Sequence, residues 1–126
     1  MMIKHINPET VGKPAGPYTH LVETDVYVYM SGQAPIDPKS GELISGTFKE
    51  EAELVFENII SNLKYVGLDL TNVVKVNTYL GDIEFRTEYN EMYKNYFKEP
   101  YPARTTIACD LSTIKIEIEV VACKNK

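Results

Sequence analysis

Ile114-Lys115-Ile116-Glu117-Ile118-Glu119-Val120-Val121 decides the fold. Apolar and other residues alternate through most of it with a period of two, the pattern of a strand that buries one face and keeps the other polar. Such a strand needs a second layer for its oily side. Residues 47–66 supply one: Ala52, Val55, Phe56, Ile59, Ile60, Leu63 and Val66 recur at helical spacing and make a continuous stripe. Thr47 and Glu50 read as a capping box, and Gly67 stands where a helix commonly ends. A second helix is predicted from Phe85, Tyr89, Met92, Tyr93, Tyr96 and Phe97, with Asp82 as its N-cap and Pro100 as its stop.

Period-two alternation also marks residues 26–31, 73–80 and 104–109, and shorter strands are expected at 3–6 and near 21–23. Asp37-Pro38-Lys39-Ser40-Gly41 is turn chemistry. Mixed strands and helices make the chain an α+β protein. Alternation sorts the side chains. Val26, Val28 and Met30, then Val74, Val76 and Leu80, then Ile114, Ile116, Ile118 and Val120 suit the helix stripes. The other face is expected to carry Tyr27, Tyr29, Ser31, Lys75, Asn77, Tyr79, Arg104, Thr106, Lys115, Glu117 and Glu119. A face both polar and rich in tyrosine suits self-association, with Arg104, Thr106 and Glu117 in a crevice between subunits.

At 126 residues the chain has room for one domain, which would bury roughly two-thirds of its unfolded surface. Apolar content of 44%, charged content of 25% and a net charge of −5 describe an ordinary globular chain with no overall pull toward nucleic acid or anionic lipid. The lysines are scattered, and only Arg86 and Arg104 are arginines. No secretion signal and no apolar run of the ~20 residues a membrane span needs are visible, so a cytoplasmic protein is expected. Cys109 and Cys123 form no C-x-x-C and are expected as free, buried thiols.

Metal-ligand spacings, nucleophile motifs and glycine-rich phosphate loops are all missing. His20, after Gly16-Pro17-Tyr18-Thr19, reads as a loop or interface residue. What remains is Arg104 in Pro102-Ala103-Arg104-Thr105-Thr106, whose planar fork can grip a carboxylate through two parallel hydrogen bonds, together with a carboxylate able to hold water. On spacing alone that carboxylate is either Glu117 or Glu119, which project to one side ~6.6 Å apart.

Five motifs in order carry a resemblance: Gly16-Pro17-Tyr18, Ser31-Gly32-Gln33-Ala34-Pro35, Asn90-x-x-Tyr93-x-x-Tyr96-Phe97, Pro102-Ala103-Arg104 and Ile116-Glu117-Ile118-Glu119-Val120. Over residues 4–122 the chain resembles the RidA/YjgF family of imine and enamine deaminases, also described as endoribonuclease L-PSP. The resemblance implies a chorismate-mutase-like fold, a mixed, mostly antiparallel sheet with two helices on one face, assembled as a homotrimer with clefts between subunits. It implies a hydrolase of the 2-iminobutanoate/2-iminopropanoate deaminase kind. The expected partner is a small carboxylate-bearing imine or enamine, such as one derived from 2-aminoacrylate, or the 2-keto acid formed from it. Arg104 would clamp the carboxylate and Glu117 would orient the attacking water. Tyr18, Ser31, Gly32, Asn90 and Thr106 would line the pocket, and no cofactor or metal is implied.

The chain departs from commoner members at Thr106, where many have cysteine, and at Thr105 and His20, and some connections are shorter. Two other functions are compatible with the motifs. One is a binding module that senses small 2-keto or 2-amino acids without turnover. The other is an endoribonuclease or translation inhibitor, against which the acidic charge and the missing basic patch argue.

Overall fold

The computed structural model describes residues 1–125. Six strands form one sheet: β1 (Ile3–Ile6), β2 (Leu21–Thr24), β3 (Tyr27–Gln33), β4 (Val73–Leu80), β5 (Ala103–Ala108) and β6 (Ile116–Cys123), in the order β1-β2-β3-β6-β4-β5. Every neighbouring pair is antiparallel except β4 and β5. The helices α1 (Phe48–Tyr65) and α2 (Arg86–Tyr96) cover one face, and α2 lies within the crossover that makes β4 and β5 parallel.

The capping box forms as read: Thr47 Oγ1 accepts from the Glu50 amide at 3.2 Å, and the Glu50 carboxylate accepts from the Thr47 amide at 2.9 Å. Gly67 follows α1 with φ +77°, a left-handed value that glycine adopts without strain. The stripe of α1 packs Ala52, Val55, Phe56, Ile59 and Leu63 onto Val28, Met30, Val76, Ile116, Ile118 and Val120 of the sheet. Beside it, Phe56 stacks on Tyr96 with ring centroids 4.2 Å apart.

One charged side chain is drawn wholly inside. Glu51, in the first turn of α1, accepts from the amides of Gly46 at 3.1 Å and Lys115 at 2.7 Å and pairs with Lys115 Nζ at 3.1 Å. Lys115 therefore precedes β6 and turns to Glu51 instead of sharing the outer face with Glu117, as the alternation had suggested.

Other local expectations are corrected. Val74 is 43% exposed while Val73 is buried, because the β4–β6 ladder shifts register between Val73 and Lys75. Val26 precedes β3 and is likewise exposed. β3 runs on through Gly32 and Gln33, with a register irregularity against β6 between Met30 and Gln33. Asp82 caps a short 3-10 turn, Ile83–Phe85, that leads into α2, and α2 itself has no side-chain cap. Cys109 lies just past the end of the edge strand and is exposed, so only Cys123 is partly covered; both thiols are free. Among the described residues no helix is long and apolar enough to cross a membrane.

Candidate active site

The parallel register of β4 and β5 sets Arg104 beside Val76 and Thr106 beside Thr78. Paired residues in a sheet point to the same side, and Val76 and Thr78 are buried under the helices. Arg104 and Thr106 therefore face α2, contrary to the alternation reading that set them beside Glu117. The apolar Ile107 of the same strand points outward instead, at 46% exposure.

On that inner side Arg104 is closely held. Its Nη2 donates to Asn90 Oδ1 at 2.7 Å, and its Cζ lies 4.7 Å from the Tyr93 ring centroid and 5.2 Å from that of Tyr89. A guanidinium set against two aromatic faces and hydrogen-bonded to both Asn90 and the Tyr89 hydroxyl is oriented at the cleft wall. Tyr89 is fixed in turn by a hydroxyl contact with Thr78 Oγ1. Burial pushes the Tyr89 hydroxyl up to about 12, and burial also raises that of Tyr93. Arg104, Asn90, Tyr93, Thr87, Tyr101 and Pro102 line a cleft of about 470 Å³. The hydroxyls of Tyr93 and Thr106 are buried without a hydrogen-bond partner, an expensive state that a polar ligand or water would relieve.

Glu117 stands on the opposite, outer face, across from Tyr79 in the β4–β6 register. With Tyr18, Ser31, Gly32 and Glu119 it lines a second, open cleft of about 370 Å³. Gly32 leaves the room that the carboxylate occupies: a Cβ would come within 2.3 Å of Glu117 Oε2. Burial first, and the neighbouring Glu119 charge second, raise the Glu117 carboxyl above the usual carboxylate range. Glu117 pairs with neither Arg104 nor Lys115. Ser31 Oγ donates to the Thr19 carbonyl at 2.6 Å, and Tyr18 accepts from the Ala15 amide at 3.1 Å.

His20 is buried behind this cleft. Its Nε2 lies 2.7 Å from the Gly12 carbonyl, which can only accept, so Nε2 carries the proton and Nδ1 accepts from Gln33 Nε2 at 3.3 Å. Both nitrogens are occupied, which makes the histidine a strut of the Tyr18 loop. The residues predicted for one pocket thus fall into two groups on opposite faces: Arg104, Asn90 and Thr106 inside, and Tyr18, Ser31, Gly32 and Glu117 outside. Tyr79 and Tyr89 were not singled out as site residues from sequence. Tyr89 looked like one more core aromatic of a helix stripe, and Tyr79 gains meaning only from the strand register.

The family model for endoribonuclease L-PSP matches residues 9–124. The chain is 45% identical over 109 residues to the human 2-iminobutanoate/2-iminopropanoate deaminase, covering 85% of this chain and 80% of that one. A RutC family protein from Pyrococcus abyssi is 38% identical over 118 residues, 92% of this chain and 93% of its own. The chain belongs to the RidA/YjgF (endoribonuclease L-PSP) family. Solved structures within the RidA/YjgF fold agree closely. RidA from an Antarctic Psychrobacter superposes with a TM-score of 0.89 at 33% identity, covering 95% of this chain and 98% of its own. Escherichia coli TdcF with bound serine gives 0.87 at 28%, covering 97% and 99%.

Proposed function

We propose that the protein hydrolyses 2-imino acids, and the enamines in equilibrium with them, to 2-keto acids and ammonia, in clefts between the subunits of a homotrimer. The observation that carries this reading is the division of the site. A preorganised guanidinium and a half-buried carboxylate occupy opposite faces of one sheet, so one copy's Arg104 meets a Glu117 only across a contact with another copy. The outer face has the character such a contact needs, with Tyr27, Tyr29 and Ile107 exposed at 41, 47 and 46%. The human relative's name supports the imine substrate.

The residues divide the work as follows. Arg104, oriented by Asn90, Tyr89 and Tyr93, grips the substrate carboxylate and fixes the imine carbon. Glu117 accepts a proton from water as its oxygen bonds to that carbon. That proton passes to the nitrogen to complete the carbinolamine, and the carbinolamine's hydroxyl proton follows it, through the same carboxylate, as the carbon–oxygen double bond forms and the carbon–nitrogen bond breaks, releasing ammonia and the keto acid. General acid–base help of this kind supplies about 10²-fold to 10⁴-fold in rate.

The test supplies a dehydratase with serine or threonine and follows keto-acid release. Arg104→Ala and Glu117→Gln chains are each expected to be inactive. Co-refolded together, they assort so that about one interface in four carries both intact residues, and activity returns to that fraction. Full activity in either variant alone would overturn the reading. A second reading, binding without turnover, draws on the bound serine in the TdcF structure. It predicts ligand affinity that depends on Arg104, is indifferent to Glu117→Gln, and is accompanied by no keto-acid release.

A further inference from the structure

The fold treats the two acidic side chains of the outer face of β6 differently. Tyr79 stands opposite Glu117 in the ladder, yet its hydroxyl reaches diagonally to Glu119 Oε1, while the residue opposite Glu119 is Asn77. Glu119 is therefore tied to a phenol. Glu117, resting over Gly32, has no donor among the described residues.

Building on the deaminase reading, we propose that Tyr79 and Glu119 form a positioning pair for Glu117. The phenol pins the Glu119 carboxylate to the sheet, keeps it from competing for the water, and fixes its negative charge beside the carboxylate that moves the proton. The other groups facing Glu117 make Glu119 the only charged one in its cleft among the described residues. From β4 comes Tyr79, and beyond it Lys75, whose Nζ donates to Thr105 Oγ1 at 3.0 Å. The β3 side offers Ser31 and Gly32, and the N-terminal loop offers Tyr18. Lys115, two residues away, is spent on Glu51.

The chemistry favours such a neighbour. A carboxyl group whose ionisation is opposed by a fixed charge is a better proton donor-acceptor near neutrality, and this step needs a group that takes a proton from water and returns it to the departing nitrogen. The state of Tyr79 accords with the contact: its hydrogen bond to Glu119, ahead of burial, pushes the phenol up to about 12.

Carboxyl titration by carbon-13 NMR tests the pair, with Glu117→Gln used to assign the Glu117 signal. In Glu119→Gln the Glu117 midpoint falls by roughly half a pH unit, the influence of one charge about 7 Å away in a wet cleft. The acid limb of kcat/KM moves down by the same amount, so well below the midpoint the variant is about threefold faster. In Tyr79→Phe, which keeps the ring, the released Glu119 competes for the water, and kcat falls by as much as about 10²-fold with KM unchanged. A Glu117 midpoint unmoved in Glu119→Gln, or a kcat unmoved in Tyr79→Phe, overturns the proposal. Full keto-acid release by Glu117→Gln, with the Glu117 midpoint shifted as stated in Glu119→Gln, overturns the deaminase reading instead.

Discussion

Gly32→Ala adds a single methyl group where β3 passes beneath Glu117. The new Cβ would stand 2.3 Å from Oε2, 2.9 Å from Cδ and 3.2 Å from Cγ of that side chain. Ordinary carbon contacts begin near 3.4 Å, so the carboxylate has to retreat by about 1.1 Å, the gap between the two distances. Only the far end of one side chain is displaced, and residue 32 does not have the positive φ of Gly41 and Gly67. Alanine's smaller loss of backbone freedom on folding offsets part of the crowding. The thermal midpoint should therefore stay within about 3 °C of the parent. Catalysis has no such tolerance: a misplacement of about 1 Å in a reacting group costs on the order of 10²-fold. The assay is steady-state keto-acid release from dehydratase-generated imine, with thermal unfolding measured on the same preparations. An alanine variant that retains full kcat/KM would refute the placement of Glu117 over Gly32. A fall in midpoint of about 10 °C or more would trace the loss to unfolding and refute the reasoning equally.

Three further outcomes are expected. Arg104→Lys keeps the charge but loses the fork and the bond to Asn90 Oδ1; kcat/KM should fall about 10-fold to 100-fold, mostly through KM, as progress curves would show. Tyr89→Phe leaves the buried Thr78 hydroxyl without its partner and should cost about 1–3 kcal/mol in urea unfolding, part of which adding Thr78→Val restores. The raised phenols of Tyr79 and Tyr89, both at about 12, stay protonated in the fold where the unfolded chain ionises near pH 10. Their contribution to stability is complete below pH 10 and is lost as pH rises toward 12, measurable by unfolding across that range alongside phenolate absorbance.

The helix α1 was legible because its determinants are local: a threonine, a glutamate three residues on, an apolar stripe and a terminal glycine. β6 was legible for the same reason, its alternation being intact from Ile116 to Val120. The face of Arg104 was not. An edge strand lies at the margin of the helical layer, so its inward residues can be polar and its outward ones apolar, and Ile107 and Thr106 reverse the usual pattern. The register with β4, fixed by a crossover through α2, decides the matter, and register is not written in the composition of β5. The outward turn of Val74 was hidden similarly, since a ladder irregularity changes which valine points inward without altering the string of valines. Arg104 was singled out by its residue chemistry, and Asn90 and the choice of Glu117 over Glu119 by motif likeness, whereas their separation onto two faces is a property of the sheet.

That separation follows the chain itself. Thr78, Tyr89, Asn90, Tyr93 and Arg104 all belong to the continuous stretch of β4, α2 and β5, whereas Tyr18, Gly32 and Glu117 are gathered from distant points by the closing of β6 against β3. On the proposed reading, recognition of the substrate's acid group is encoded in one exchangeable block, and proton handling, Tyr79 apart, is encoded outside it. Swapping residues 73–108 between two relatives that both carry Tyr79 would transplant ligand preference while leaving the pH behaviour with the recipient, so the two properties can diverge under separate selection.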